Sequence, residues 1–128
     1  IMCLDVLRAL YKEPETVEAF MTELEAVAGH SKALDAYIAT LKMQIISMKK
    51  AFVKKDFPSL ETYELTARRF VERLAIAIEA VLMIKQAPSF AADAFVSSRI
   101  EQKAGFAYGT LDSSADNLKQ IITRSYTV

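Results

Sequence analysis

Hydrophobic positions recur at three- and four-residue intervals along most of the chain, the spacing of one face of an α-helix. In the first segment, Ile1 to Lys12, the residues Cys3, Leu7 and Leu10 form such a stripe, with Leu4 and Tyr11 along its edge. Glu13-Pro14-Glu15-Thr16 interrupts it and opens a second helix. Proline fits the first helical turn, where its missing N–H has no partner to lose. The acidic Glu13, Glu15 and Glu18 suit the positive end of the helix dipole. Val17, Phe20, Met21, Leu24 and Val27 continue at helical spacing, and Gly29 is placed to end the helix in a left-handed turn. A third helix is predicted from the capping residue Ser31 to about Lys55, with Leu34, Tyr37, Ile38, Leu41, Ile45, Met48 and Phe52 facing inward. Lys49, Lys50, Lys54 and Lys55 fall in its last turns, where cations oppose the carbonyl end.

Asp56-Phe57-Pro58-Ser59 is the next break, with Ser59 as the expected cap of a fourth and longest helix, about Leu60 to Gln86. Its early half is amphipathic and places Glu64 and Arg68 at i,i+4, the spacing of an ion pair. Its late half, LAIAIEAVLMI, is apolar nearly all round, which predicts a central helix or one in a subunit interface. Pro88 ends it and opens a fifth helix with Phe90, Ala94, Phe95 and Ile100 inward. Gly105 and Gly109 around Phe106 and Tyr108 read as a tight loop, and a short last helix, about Ser114 to Arg124, carries Leu118, Ile121 and Ile122. The expected fold is therefore all-α, an up-and-down bundle of five to six helices joined by short connections. The first helix opens at full pattern with no capping residue ahead of it. That start predicts that residues 1–128 are part of a longer chain.

Composition narrows the function more than it changes the fold. Gly and Pro number 3 each, too few for a sandwich or barrel of many short strands, which needs a turn every ~8–12 residues. With 16 Lys and Arg against 16 Asp and Glu the net charge is zero, so the basic excess of a dedicated nucleic-acid binder is missing. Cys3 is the single cysteine, which excludes an intrachain disulfide and fits a reducing compartment. The longest apolar run, Leu74 to Ile84, is interrupted by Glu79 and falls short of the ~20 residues of a membrane span. No membrane association is expected.

Candidate chemistry is sparse. His30 is the only histidine and stands at a helix junction with no His or Cys partner at metal-ligand spacing. It is expected to be a loop residue, and no metal site is expected. Nor do the carboxylates form the paired Glu-x-x-His set of a di-iron bundle. Cys3 lies in the first apolar stripe and is expected to act as a small buried hydrophobe. The lysines from Lys49 to Lys55 spread around their helix and read as a solvated helix end. Glu79, a charge inside an apolar helix, must reach solvent, a cation such as Lys85, or a partner subunit, because an unpaired buried charge is costly. Arg8 flanks the Leu4/Tyr11 edge, and Asp5 stands three residues before it as a pairing candidate; on pattern alone the two read as a boundary ion pair on an ordinary surface, with a pocket rim within reach of the guanidinium as the other reading.

Met2-Cys3-Leu4-Asp5-Val6-Leu7-Arg8 resembles a stretch of one branch of the acyl-CoA dehydrogenase superfamily, the branch of the bacterial flavoproteins of the adaptive response to alkylating agents. Toward the other end, Ala94-Phe95-Val96-Ser97-Ser98-Arg99 resembles that branch's penultimate helix. Phe106-Ala107-Tyr108-Gly109-Thr110-Leu111, followed by Asp112 and the Ile121-Ile122 helix, resembles its Phe-Gly-Thr-Leu ending. Between about Pro14 and Ala87 the match is one of helical character alone. The resemblance implies a parent protein that binds FAD, has an N-terminal helical domain, a β-domain and a C-terminal helical bundle, and forms homo-oligomers through that bundle. It further implies a glutamate that removes the α-proton of an acyl-CoA while the β-hydride passes to flavin. In that branch the candidate glutamate stands just before the position of Ile1, so no catalytic residue is expected within residues 1–128, and most flavin-holding residues are expected elsewhere. Arg8 matches the arginine that lines the closed end of the branch's substrate pocket, with Asp5 beside it on that wall. The chain is thus expected to be the C-terminal helical domain of a cytoplasmic flavoprotein, inert alone, contributing to oligomerisation and to one wall of the acyl/flavin pocket. Members of the branch also bind duplex DNA through a basic C-terminal region. This chain departs from them there, having zero net charge and scattered lysines, and DNA binding is not expected. A DNA-binding damage-response module and a free-standing helical interaction domain are the alternative readings.

Overall fold

The helices are laid down in the order the apolar periodicity requires. In the computed structural model, which describes residues 2–102, 111 and 113–126, α1 spans Met2–Lys12, α2 Pro14–Glu25, α3 Lys32–Val53, α4 Phe57–Leu65, α5 Ala67–Gln86, α6 Ser89–Phe95 and α7 Ala115–Tyr126. A π-helical turn, Val96–Ile100, continues α6 without a gap. No strand occurs among the described residues, so the fold class is all-α.

α5 is the central element. It touches α1, α2, α3, α4, α6 and the π-turn. Ala77, Ala80 and Val81 of α5 are fully excluded from solvent, as are Leu24 on α2 and Leu34 and Leu41 on α3. Small alanines on a surrounded helix let neighbouring backbones approach closely, since interaxial distance is set by the side chains at the contact. Leu7, Ile45, Met48, Phe70 and Leu74 complete the same core, and each buried aliphatic side chain contributes about 1.5–3 kcal/mol before its ordering entropy. Among the described residues no polar or charged residue is buried. Polar links lie at the margins instead. The Tyr37 hydroxyl donates to the Arg73 carbonyl (3.2 Å), Tyr63 donates to Ser47 Oγ (2.8 Å), and Lys42 pairs with Glu25 (2.8 Å).

Two expected ends are confirmed in detail. Gly29 adopts φ +87° after α2, and its N–H donates to both carboxylate oxygens of Asp35 at 3.2 Å. Ser31 caps α3 by accepting from the Leu34 N–H at 3.3 Å.

Other expectations are corrected. Seven α-helices and a π-turn stand where five to six helices were expected, because the predicted 60–86 helix is divided and the fifth helix changes geometry along its length. The predicted 60–86 helix divides at Thr66 (φ −99°, ψ 6°), whose hydroxyl donates back to the carbonyls of Thr62 (3.0 Å) and Tyr63 (3.4 Å). Such side-chain bonding one turn back often bends a helix, although Thr40 makes the same bond inside the unbroken α3. The division falls between Glu64 and Arg68, and these two form no ion pair among the described residues. Asp56, not Ser59, caps α4: its carboxylate accepts from the Ser59 N–H (3.4 Å) and the Ser59 hydroxyl (2.8 Å). The fifth helix changes to π geometry after Phe95, with the Glu101 N–H donating to the Val96 carbonyl at 3.0 Å. Phe52, expected inward, is 44% exposed, and Ala51 is buried in its stead. No residue of α7 is buried; Leu118 and Ile121 are half-buried and Ile122 is exposed. The loop read around Gly105, Phe106, Tyr108 and Gly109, the residues of the closing motif up to Thr110, and Asp112 lie outside the described residues.

Candidate functional site

A polar concavity is built on α5. Arg69, Glu72, Arg73 and Ile76 fall at i, i+3, i+4 and i+7 and so share one helical face. Across from them stand Tyr37 of α3 and Arg99, Ile100 and Gln102 at the π-turn, enclosing a cleft of about 480 Å³. Arg73 is held in place from two sides. Its guanidinium carbon sits 5.1 Å from the centroid of the Tyr37 ring, a cation–π distance, and Nη1 lies 3.5 Å from Gln44 Oε1. Burial pushes the Tyr37 phenol up from its ordinary value, and the neighbouring Arg73 partly opposes that rise. The phenol therefore remains protonated at neutral pH and keeps donating to the backbone. None of the three arginines has an ion-pair partner among the described residues.

A second concavity differs in every respect. Between α1, α2 and α5 runs a groove of about 290 Å³, lined by Val6 and Ala9, Thr16 and Phe20, and Val71, Ala75 and Ile78, with Thr16 as its one polar residue. Val71, Ala75, Ile78 and the 43% exposed Leu82 form an apolar stripe along α5. The all-round apolar character of that sequence thus serves two faces: one enters the core, the other lines the groove and the surface beyond it.

Arg8 and Asp5 pair with each other on α1 at 3.2 Å, with side chains 66% and 60% exposed. On α1 they lie next to the groove residues Val6 and Ala9, with Asp5 one turn (i, i+4) from Ala9. Cys3 is half-buried against the core. His30 sits in the turn between α2 and α3, its Nε2 3.8 Å from an Asp93 carboxylate oxygen. Glu79 reaches solvent and shares a cleft with Arg124, Leu82 and Phe95, while Lys85 pairs with Glu23 of α2. Lys50, Lys54 and Lys55 are exposed at the end of α3 and Lys49 is half-buried there. No cluster of three His, Cys, Asp or Glu able to hold a metal occurs among the described residues.

The arginine cleft was missed in the sequence. The Arg69–Arg73 spacing is a visible signal, because like charges one turn apart repel. Nothing local, however, ties Arg99 to them across the intervening helices. No family model, curated protein or solved structure matches the chain.

Proposed function

We propose that the chain is the C-terminal helical-bundle domain of an FAD-dependent, acyl-CoA dehydrogenase-like flavoprotein. In this reading the helices form an up-and-down bundle that mediates homo-oligomerisation and closes one wall of the acyl/flavin pocket. The observation that carries it is that α1, the helix bearing the Met2–Arg8 run, sets a polar pair beside an apolar groove. It presents the solvent-facing Arg8–Asp5 pair, the chemistry a pocket wall needs toward a polar ligand. Next to that pair, Val6 and Ala9 line a groove with a single polar lining residue, the chemistry a subunit contact needs. The single half-buried Cys3 and the absence of any described helix long and apolar enough to cross a membrane are compatible with a cytoplasmic location.

Alone the domain is inert. Proton abstraction requires a base within hydrogen-bond reach of the substrate, and hydride transfer requires the bound flavin; in this reading the base stands just before Ile1 and most flavin-holding residues lie elsewhere in the parent. Expression of the complete reading frame tests the assignment. A yellow, oligomeric protein that releases FAD on denaturation is the expected result. A colourless, flavin-free full-length protein overturns it.

A further inference from the structure

We propose that the cleft between α3, α5 and the π-turn binds a small organic ligand through a phosphoryl dianion gripped by Arg69, Arg73 and Arg99. Charge is the first reason. Three guanidiniums and the carboxylate of Glu72 line one concavity, leaving two positive charges in excess. A phosphoryl group carries about −1.5 to −2 at neutral pH and cancels that excess; a lone carboxylate leaves one charge over. Arg69 and Arg73, one turn apart on α5, repel each other, so an anion between them offsets that repulsion.

Geometry is the second reason. The Arg73 guanidinium carbon lies over the Tyr37 ring at 5.1 Å from its centroid, a cation–π contact that positions a group whose forked N–H donors favour paired bonds to phosphate. Gln44 bonds the Arg73 side chain, and the Tyr37 hydroxyl, by bonding the Arg73 backbone carbonyl, fixes the ring against which that side chain packs. Arg99 is carried to the same cleft on the π-turn, and π segments inside helices recur at functional sites. Ile76, Ile100 and Tyr37 add an apolar wall for the ligand's body. The cleft's volume of about 480 Å³ lies within the ~300–1,000 Å³ of small-molecule sites. Glu72 acts against a chain of phosphates, as does the zero net charge of the protein. A single phosphoryl group is favoured over a nucleic-acid backbone. This proposal does not depend on the flavoprotein assignment.

The test is a ¹H–¹⁵N NMR titration of the full chain with inorganic phosphate at constant ionic strength. The expected result is saturable shifts centred on residues 69–76 and 96–100, weaker with acetate. Arg69→Gln and Arg99→Gln, both at exposed side chains, are each expected to weaken phosphate binding about tenfold, the loss of one charge-assisted hydrogen bond. Glu72→Gln is expected to tighten it, a gain that a misfolded variant cannot mimic. The proposal is overturned if the shifts rise without saturation, centre on Lys49–Lys55, or are unchanged in all three variants. It is also overturned if a short DNA duplex binds the same arginines more tightly than phosphate, with the steep salt dependence of a backbone contact.

Discussion

The ring of Tyr11 on α1 lies flat on that of Phe52 on α3, with centroids 4.9 Å apart and planes 6° from parallel, while its hydroxyl is buried without a hydrogen-bond partner among the described residues. The stack supplies contact area, but the orphaned hydroxyl opposes it, since burying an unsatisfied polar group costs about 1–3 kcal/mol. Tyr11→Phe keeps the ring and removes the orphan. It is expected to raise unfolding free energy by about 1 kcal/mol in urea titrations. A variant less stable than the parent protein would show that the hydroxyl has a partner in solution.

The same site sets an alkaline limit. The Tyr11 phenol is pushed up from its ordinary value by burial first, then by the nearby Glu64 and Tyr63. The unfolded phenol ionises near pH ~10. Below that value both states hold the proton and these groups add no pH dependence. Above it the folded state holds more protons than the unfolded one, so stability falls as pH rises toward the folded value. Tyr37, also raised chiefly by burial, contributes in the same direction. Stability is expected to drop from about pH 10 upward, less steeply in Tyr11→Phe. Equal slopes in the two proteins would remove Tyr11 from this account.

Two helix ends use the left-handed backbone with opposite residue choices. Gly29 has φ +87°, and a Cβ built there meets nothing within 4 Å. Gly29→Ala therefore isolates the backbone cost and is expected to lose about 1–2 kcal/mol. Lys55 adopts φ +52° at the end of α3, where its N–H donates to the Phe52 carbonyl (3.1 Å) and the Asp56 N–H to the Ala51 carbonyl (2.9 Å). That bond pair is the Schellman ending, which glycine usually closes. Lys55→Gly is expected to gain about 1 kcal/mol in thermal or chemical melts, since the exposed lysine side chain makes no ion pair among the described residues.

The contrast between these two ends shows what was legible in the sequence. Gly29 is a local signal and was read as a helix end; Lys55 reaches the same conformation with no local signal, and only the backbone shows it. The apolar stripes of α1 to α3 placed Leu7, Leu24, Leu34, Leu41 and Ile45 in the core because a one-sided periodicity fixes a face. The division at Thr66 was not legible, because a threonine inside a helical pattern does not announce which carbonyl its hydroxyl will take. The π-turn was equally hidden, since Val96–Ile100 fits an ordinary helical pattern. Arg8 and Asp5 were read as a local pair, and they form one. The arginine cleft depends on tertiary packing that brings α3, α5 and the π-turn together, and no spacing rule within one helix carries that information.

The apolar groove yields the last prediction. Ala75 is exposed in the middle of the α5 groove stripe. A charge placed there stays in solvent in an isolated subunit and is desolvated when another surface covers the groove. Ala75→Glu is therefore expected to leave stability within about 0.5 kcal/mol of the parent protein, as exposed substitutions do, while weakening self-association. Lys50→Glu, at an exposed site on α3 away from the groove, is the control for the charge change itself. Sedimentation velocity over a range of concentrations reads the outcome. A shift of Ala75→Glu toward the lighter species, with Lys50→Glu unchanged, places the groove in the oligomer contact. Identical sedimentation of all three proteins removes it from that contact and takes away the structural support for oligomerisation through α1 and α5.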